Sequence, residues 1–163
     1  MAFLFDTNII STFAKVNKLE LLVELFGNED LLIPTSVIND LSNSALSLKS
    51  ILDSEIFSPI VLNHEEQALV EHYAGIKNLG KGELECIAVC KTRDSVLVTN
   101  DYKAIKFAET LGIIIIDLET ILIKLKDILG RDALKQLMSE IETKDKVFIE
   151  DKEGILSNRE DLN

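Results

Sequence analysis

Four acidic residues fall where their side chains could do chemistry, at the end of an apolar run or along an apolar helical stripe. They are Asp6, Asp40, Glu83 and Asp101. Carboxylates gathered at one end of a sheet repel one another, and hard cations such as Mg²⁺ or Mn²⁺ relieve that repulsion through oxygen ligands and retained waters. Ions held in this way serve phosphoryl chemistry, because they activate water and neutralise the charge that builds on a leaving oxygen.

Asp6 and Asp101 each follow an apolar run. The run Phe3–Phe5 is typical of a strand buried on both faces, and Asp101 follows residues 95–99 in the same way. Open α/β sheets place their ligand crevice at the carboxyl ends of such strands. Helix capping is the alternative, and for Asp6 taken alone it is the better one. One carboxylate can cap a helix and also hold a metal-bound water, so the two interpretations of Asp101 do not exclude each other.

Helical spacing places the other two carboxylates. A step of about 100° per residue puts Asp40 about 60° from Val37, at the border of an apolar stripe, with a solvated position as the equal alternative. Glu83 lies in the middle of the stripe that contains Ile87, where a carboxylate is costly unless a cation or hydrogen-bond donors meet it. Glu85 falls on the opposite side, at about 200°. Glu83 is therefore the chosen site residue, with Glu85 as its alternative.

Other catalytic arrangements find little support in the residues. His64 and His72 are the two histidines, and their spacing does not match a helical zinc pair. Cys86 and Cys90 lie four apart in an apolar helical pattern, which favours buried thiols in a reducing cytoplasm over a disulfide or metal site. No phosphate-binding GxxxxGK[ST] loop occurs, and residues 80–82 are only a turn.

The alternation of apolar runs with helical patterns predicts one α/β domain with a parallel sheet covered on both faces. Strands are predicted at residues 3–5, 31–33, 57–62, 95–99 and 113–116, with Pro59 marking an edge strand. Helices are predicted at residues 9–16, 19–26, 35–48, 64–76, 83–92, 102–111, 119–129 and 132–142. The domain is assigned to residues 1–143, and residues 144–163 are expected to form a charged, loosely held tail.

Composition limits the classes of protein that fit. A net charge of −11 argues against a general nucleic-acid coat protein, although an enzyme can meet phosphates through bound cations. No apolar run is long enough to span a membrane, and no signal-peptide pattern is seen, so we expect a cytoplasmic protein without a membrane partner.

Four segments together resemble a known family. They are residues 5–8, 33–40, 82–85 and 98–101. Their order and spacing resemble those of a PIN domain over residues 1–117, whereas each motif alone is weak. The resemblance implies a Rossmann-type three-layer α/β/α fold with a central parallel sheet. It also implies a Mg²⁺- or Mn²⁺-dependent endoribonuclease for single-stranded RNA, often the toxin of a type II toxin–antitoxin pair.

The resemblance also implies roles for individual residues. The catalytic acids would be Asp6, Asp40, Glu83 and Asp101, of which Asp6, Glu83 and Asp101 would bind the metal. Supporting hydrogen bonds would come from Thr7, Asn8 and Thr99. Independently of the resemblance, Lys81, Lys103 and Lys106 are predicted to lie near the same face and to hold the RNA backbone. Two positions depart from the family pattern, since Asp40 stands where the acid is usually Glu, and Lys103 where many relatives carry a further acid.

Two rival functions stay open. One is a catalytically weak PIN-like module that binds RNA or a protein. The other is a phosphatase for small phosphate esters, which would need a second Asp two residues after the nucleophile, where this chain has Asn8. The expected partners are RNA and an antitoxin protein, and whether the chain forms a homodimer stays open.

Overall fold

The computed structural model describes residues 1–44, 51, 55–75 and 78–157. Within these ranges five strands form one parallel sheet in the order β3-β2-β1-β4-β5. The strands are β1 Ala2–Phe5, β2 Asp30–Pro34, β3 Ser58–Ile60, β4 Val96–Val98 and β5 Ile115–Ile116. The predicted α/β class with a parallel sheet is thus confirmed. The strand that contains Pro59 lies at the edge, where a residue without an N–H group is tolerated.

Helices connect and cover the strands. Those in the described ranges are α1 Thr7–Lys15, α2 Glu20–Phe26, α3 Thr35–Ser42, α4 His64–Ala74, α5 Lys81–Arg93, α6 Tyr102–Thr110, α7 Leu118–Leu129, α8 Arg131–Lys144 and α9 Lys152–Leu156. The predicted continuation of α3 to residue 48 falls partly on residues 45–50, which lie outside the described part of the chain. None of the described helices is long and apolar enough to cross a membrane.

The central strand β1 marks the place where a site is expected. Its register aligns Phe3 with Leu31 of β2 on one side and Phe5 with Val98 of β4 on the other. Because β2 follows β1 along the chain on one side and β4 lies on the other, the order of the strands reverses at β1. In open parallel sheets this reversal opens a crevice at the carboxyl ends of the strands. The residues that follow β1 and β4 therefore share one crevice.

Aliphatic and aromatic side chains fix this strand in the core. Leu4 and Phe5 are completely buried. The Phe5 ring packs edge-on against Phe26 and Phe57, with centroids 5.3 and 5.2 Å apart. Edge-to-face pairs of this kind add to the stabilisation that burial provides. The residue that follows Phe5 is consequently held on a rigid element.

The C-terminal segment differs from the prediction of a loosely held tail that begins at residue 144. Ile149 and Ile155 are 5% and 0% exposed. Asp145 accepts hydrogen bonds at 2.5 Å from Thr12 Oγ1 and Lys15 Nζ of α1. Residues 145–157 are therefore part of the folded domain, while the rest of the predicted tail, residues 158–163, lies outside the described residues.

Candidate active site

Asp6 lies at the carboxyl end of β1 with its carboxylate buried and hydrogen-bonded on both oxygens. The Asp6 residue is only 4% exposed. Oδ1 accepts from the Thr7 backbone N–H at 2.7 Å, so Asp6 caps α1. Oδ2 accepts from Asn8 Nδ2 at 2.7 Å and from Thr99 Oγ1 at 2.8 Å. The capping interpretation is correct, and the cap also fixes this carboxylate in the crevice.

Thr99 and Asn8 tie the ends of β1 and β4 together. The buried Thr99 hydroxyl accepts from Asn8 Nδ2 and from the Asp101 backbone N–H, both at 3.2 Å. Asn8 Oδ1 accepts from the Asn100 backbone N–H at 2.9 Å. These bonds set the loop after β4 against the first turn of α1. Asn8 and Thr99 thus bind both Asp6 and the loop after β4, and the supporting role that the resemblance implies for them stays a prediction.

Asp101 opens α6 as its N-cap. Its Oδ1 accepts from the Ala104 backbone N–H at 2.8 Å, and the residue is half-buried. The remaining oxygen makes no hydrogen bond within the described part of the chain. The Asp101 charge raises the pKa of both Asp6 and Glu83. Asp101 therefore caps a helix and also belongs to the acidic cluster.

Glu83 stands in the first turn of α5, half-buried. One carboxylate oxygen accepts from the Gly80 backbone N–H at 2.5 Å. Burial raises the pKa of Glu83 above its ordinary value, and the charges of Asp101 and Asp40 raise it further. The Gly80 hydrogen bond and the nearby Lys103 ammonium act in the opposite direction.

Asp40 on α3 is exposed, yet its carboxylate is turned toward α5. A Cβ atom added to Gly82 would lie 3.1 Å from Asp40 Oδ2 and 3.3 Å from Val37 Cγ2. The two helices can approach this closely because residue 82 has no side chain. The close contact places Asp40 beside the N-terminal turn that carries Glu83.

The electrostatics of Asp6 show that the carboxylates share one environment. The pKa of Asp6 is raised from 3.8 to about 6, mainly by burial and further by the charges of Glu83 and Asp101. Hydrogen bonds from Thr99 and Thr7 limit the rise. The structure thus brings Asp6, Glu83 and Asp101 together and places Asp40 within reach of Glu83. Here these four residues are called the acidic cluster.

Glu85 lies on the side of α5 opposite Glu83, as helical spacing predicts, but this side is buried. The face opposite Glu83 is also buried, because α5 packs against three helices and three strands, and Glu85 is only 6% exposed. Its two oxygens accept from Ser36 Oγ at 2.7 Å and the Ser36 backbone N–H at 3.0 Å. Glu85, although on another helix, therefore accepts hydrogen bonds from the N-terminal turn of α3 as a capping residue would.

The three predicted RNA-binding lysines are all exposed but differ in their partners. Lys81 Nζ lies 3.8 Å from Glu85, and Lys106 Nζ forms an ion pair with Glu109 at 2.9 Å. Lys103 acts electrostatically on Glu83. Lys103 is thus the lysine whose charge reaches the acidic cluster.

The donor atoms of the cluster suit a hard cation that keeps part of its water shell. No group of three or more His, Cys, Asp or Glu residues in the described ranges is arranged to hold a metal ion by itself. Mg²⁺ needs fewer protein ligands, since it is usually bound by one or two carboxylates together with waters and substrate phosphates. The Thr7 Oγ1 atom, next to Asp6, is buried without a hydrogen-bond partner among these residues, and a hydrated ion would supply one. The residues fit a cation held mainly through water.

Two contacts of the site were not foreseen from the sequence. The bond from Gly80 to Glu83 had a signal, because Glu three residues after a helix N-cap is typical of a capping box. The pairing of Ser36 with Glu85 had none, since the two residues lie 49 positions apart. The first could have been predicted, whereas the second depends on how α3 and α5 pack.

The comparison with protein families identifies the chain. The family model DUF3368, described as a PIN domain, matches residues 2–156. This chain belongs to the PIN-domain family. The match includes the acidic cluster and residues 145–156 of the C-terminal segment. A search of curated proteins found no match.

Solved structures share the PIN fold with this chain. The PilT N-terminus domain protein SSO1118 from Sulfolobus solfataricus P2 is 21% identical, with a TM-score of 0.55 over 74% of this chain and 90% of that one. VapBC-1 from nontypeable Haemophilus influenzae is 19% identical, with a TM-score of 0.53 over 72% and 98%. VapBC2 from Rickettsia felis, bound to a DNA fragment from their promoter, is 23% identical, with a TM-score of 0.50 over 72% and 98%. At these identities the likeness concerns the fold alone.

Proposed function

We propose that this PIN-domain chain is a Mg²⁺- or Mn²⁺-dependent endoribonuclease that hydrolyses phosphodiester bonds of single-stranded RNA at the acidic cluster. The observation that carries the proposal is the placement of Asp6 and Asp101 at the sheet's reversal point, where the Thr99 hydroxyl donates to Asp6 and accepts from the Asp101 backbone N–H. Mutually repelling carboxylates in a ligand crevice, with perturbed titration, are typical of functional sites. Their oxygen donors favour a divalent cation as the compensating charge.

Each residue has a defined task in this proposal. Asp6 and Asp101 would bind the cation, with their orientation fixed by the caps they form. Glu83 would share or orient it, and Asp40 would complete the pocket from α3. A bound Mg²⁺ or Mn²⁺ supplies a water of lowered pKa and a positive charge opposite the scissile phosphate. Lys103, whose charge reaches Glu83, would contact the RNA backbone.

Two matched helix N-cap residues, Asp101 and Asp117, allow a test of the proposal. Asp101 and Asp117 both follow a strand, both cap a helix, and both accept from the backbone N–H three residues on at 2.8 Å. We expect Asp101→Asn to lower Mn²⁺-dependent cleavage of single-stranded RNA by at least about two orders of magnitude, on the order of 3 kcal/mol. Asp117→Asn should leave the rate within about twofold, because Asn is also a good cap.

The assay compares a panel of single-stranded RNAs in Mn²⁺ with the same panel in EDTA. Cleavage that persists in EDTA, or an equal loss in both variants, would contradict a metal-dependent site at Asp101. Thermal melts of the two variants separate a folding defect from a chemical one.

A second candidate function is a PIN-like module that binds RNA or protein with little or no catalysis. It is favoured by the lack, in the described ranges, of three acidic side chains arranged to hold an ion together. Calorimetric titration with Mn²⁺ distinguishes the two functions. A nuclease must bind the ion, and Asp101→Asn must weaken that binding, whereas a binding module need show neither effect.

The proposed biological role is that of a cytoplasmic toxin with a protein antitoxin as its partner. The support is the family to which the chain belongs and the similar VapBC structures. Expression of the chain alone in bacteria should arrest growth, and the Asp101→Asn variant should not. Growth that is unaffected by the wild-type chain, at matched expression, would argue against a toxin.

A further inference from the structure

Tyr102 is an exposed aromatic residue directly after the cluster residue Asp101. It is the first residue of α6 and 71% exposed, although a tyrosine ring gains free energy from burial. Among the Phe and Tyr side chains that the structure describes, Phe148 is the other one with such exposure, at 76%. Tyr102 is therefore a largely uncovered aromatic ring that directly follows the cluster residue Asp101 in the chain.

The Tyr102 ring is held by a cation on the same helix. Lys106 Nζ lies over the ring, 5.7 Å from its centroid, and also pairs with Glu109 at 2.9 Å. A cation–π contact of this kind restricts the ring without covering both of its faces. The 71% exposure of Tyr102 leaves ring surface free for a planar partner.

The charge of the protein limits other sources of affinity for nucleic acid. The chain has a net charge of −11, and the candidate lysines Lys81 and Lys106 lie within ion-pair distance of Glu85 and Glu109. Contacts to phosphates are the main source of affinity in basic nucleic-acid-binding proteins, and this acidic chain is poorly equipped for them. Stacking of bases on aromatic rings is the alternative source, and it does not depend on sequence.

We propose that Tyr102 forms a nucleobase-stacking subsite that takes an unpaired base next to the phosphate at the acidic cluster. This subsite rests on the proposed function, since it presumes RNA in the crevice. Its consequence is a preference for single strands, because bases within a duplex are already stacked on their neighbours and do not offer a free face. Tyr102 would act as a positioning residue, with no part in the chemical step.

Intrinsic fluorescence can report on this subsite directly. The chain has no Trp and two Tyr residues, of which Tyr73 is only 7% exposed. In a Tyr73→Phe variant all tyrosine emission comes from Tyr102. Rapid mixing with a single-stranded RNA octanucleotide in Mn²⁺, recorded before cleavage, should quench this emission by more than half. The matched RNA duplex should quench it weakly, and equal quenching by both would overturn the proposal.

Substitutions at Tyr102 supply the second measurement. Tyr102→Leu should raise KM for a single-stranded RNA by about five- to one-hundredfold, the range of one base–aromatic stack, with kcat within about threefold. Tyr102→Phe keeps the ring and should stay within about twofold of wild type in KM. Phe148→Leu is the matched control, because it removes an equally exposed ring near Asp145, which is tied to the far end of α1.

The outcomes separate this proposal from the proposed function. If wild type cleaves RNA and Tyr102→Leu has an unchanged KM, the subsite is refuted and the nuclease stands. If Tyr102 emission is quenched by single strands but no RNA is cleaved, the subsite stands and the nuclease is refuted. An equal rise of KM in Tyr102→Leu and Phe148→Leu, or no RNA binding by the wild-type chain, overturns the subsite.

Discussion

Asp6 is a residue whose two tasks have opposite effects on stability. As an N-cap it accepts from Thr7, which stabilises α1. As a buried carboxylate near Glu83 and Asp101 it has a pKa raised to about 6, so its ionised form destabilises the fold. A group like this is retained at a functional site because a ligand can supply the missing positive charge. The balance of the two effects can be measured.

The pH dependence of stability without metal is the first prediction. Because the pKa of Asp6 is about 6 when folded and 3.8 in the reference state, the folded chain holds a proton that the unfolded chain has released between these values. The contribution of Asp6 to the free energy of unfolding is therefore present in full at low pH. It is lost as pH rises through about 6, and the loss amounts to up to about 3 kcal/mol. Asp6→Asn removes this dependence.

The measurement is urea denaturation in EDTA from pH 4.5 to 7.5. The free energy of unfolding of Asp6→Asn minus that of wild type should rise with pH. The difference is the useful quantity, because Asn also places an amide donor against Asn8 Nδ2, at a cost that does not vary with pH. Taking the difference also cancels the opposite pH dependence of stability that comes from Glu66, whose pKa is lowered by Arg93. A difference that is flat or falls with pH would show that Asp6 is an ordinary cap.

At the scale of the elements, the site depends on how α3 and α5 meet. Glu85 binds Ser36 at the start of α3, and Asp40 lies four residues later on the same helix. Four residues make about one helical turn, so a shift at Ser36 moves Asp40. We therefore expect Glu85 to help position Asp40 through α3.

Removal of this link is the second prediction. Glu85→Ala leaves the buried Ser36 N–H and hydroxyl without their acceptor, so we expect a loss of about 2 kcal/mol in the free energy of unfolding. Mn²⁺ affinity should fall less than tenfold, because the carboxylates of Asp6 and Asp101 stay in place. Chemical denaturation and calorimetry measure the two effects. A larger fall in affinity than that of Asp101→Asn would mean that Glu85 binds the ion itself.

The third prediction concerns the close approach at Gly82. An Ala side chain there would meet Asp40 at 3.1 Å and the fully buried Val37 at 3.3 Å. Asp40 can turn into solvent, but Val37 cannot, so we expect a net loss of about 1 kcal/mol despite the better helix propensity of Ala. Gly75→Ala is the control, because its Cβ would meet only the His72 carbonyl at 3.7 Å. Thermal melts measure both variants. Equal destabilisation of Gly82→Ala and Gly75→Ala would contradict the steric explanation.

The sequence predicted the elements better than the contacts between them. Apolar runs such as Phe3–Phe5 identify buried strands, and an acid after such a run identifies the end of the sheet that carries the site. Helical periodicity placed Glu85 opposite Glu83, but it could not show that this side is buried as well, because α5 is covered on both sides. The partner of Glu85 could not be predicted either, since its pairing with Ser36 arises only when the two helices pack.

At the scale of the whole molecule, the C-terminal segment shows where sequence patterns stop being informative. Ile149 ends the short apolar run 147–149 and Ile155 is followed by Leu156, and charged residues make up most of the segment around them. Ile155 is buried where α9 packs on α7 and α8. The Ile149 backbone N–H donates to Glu142 of α8, and Asp145 binds Thr12 of α1. The fold therefore closes around a segment whose overall charge led to the prediction of a loosely held tail. The family match to residue 156 includes both isoleucines.

Ile155→Ala tests whether this closure contributes to stability. Loss of a fully buried Ile should lower the free energy of unfolding by about 2–5 kcal/mol, because transfer and cavity costs add. Phe148→Ala, in the same segment but 76% exposed, should change it by no more than about 0.5 kcal/mol. Urea denaturation followed by circular dichroism measures both. A loosely held segment would give two small and equal changes, whereas a folded one separates the variants by several-fold.

Because Asp145 contacts α1, whose N-cap is Asp6, Ile155→Ala should also increase hydrogen exchange in α1.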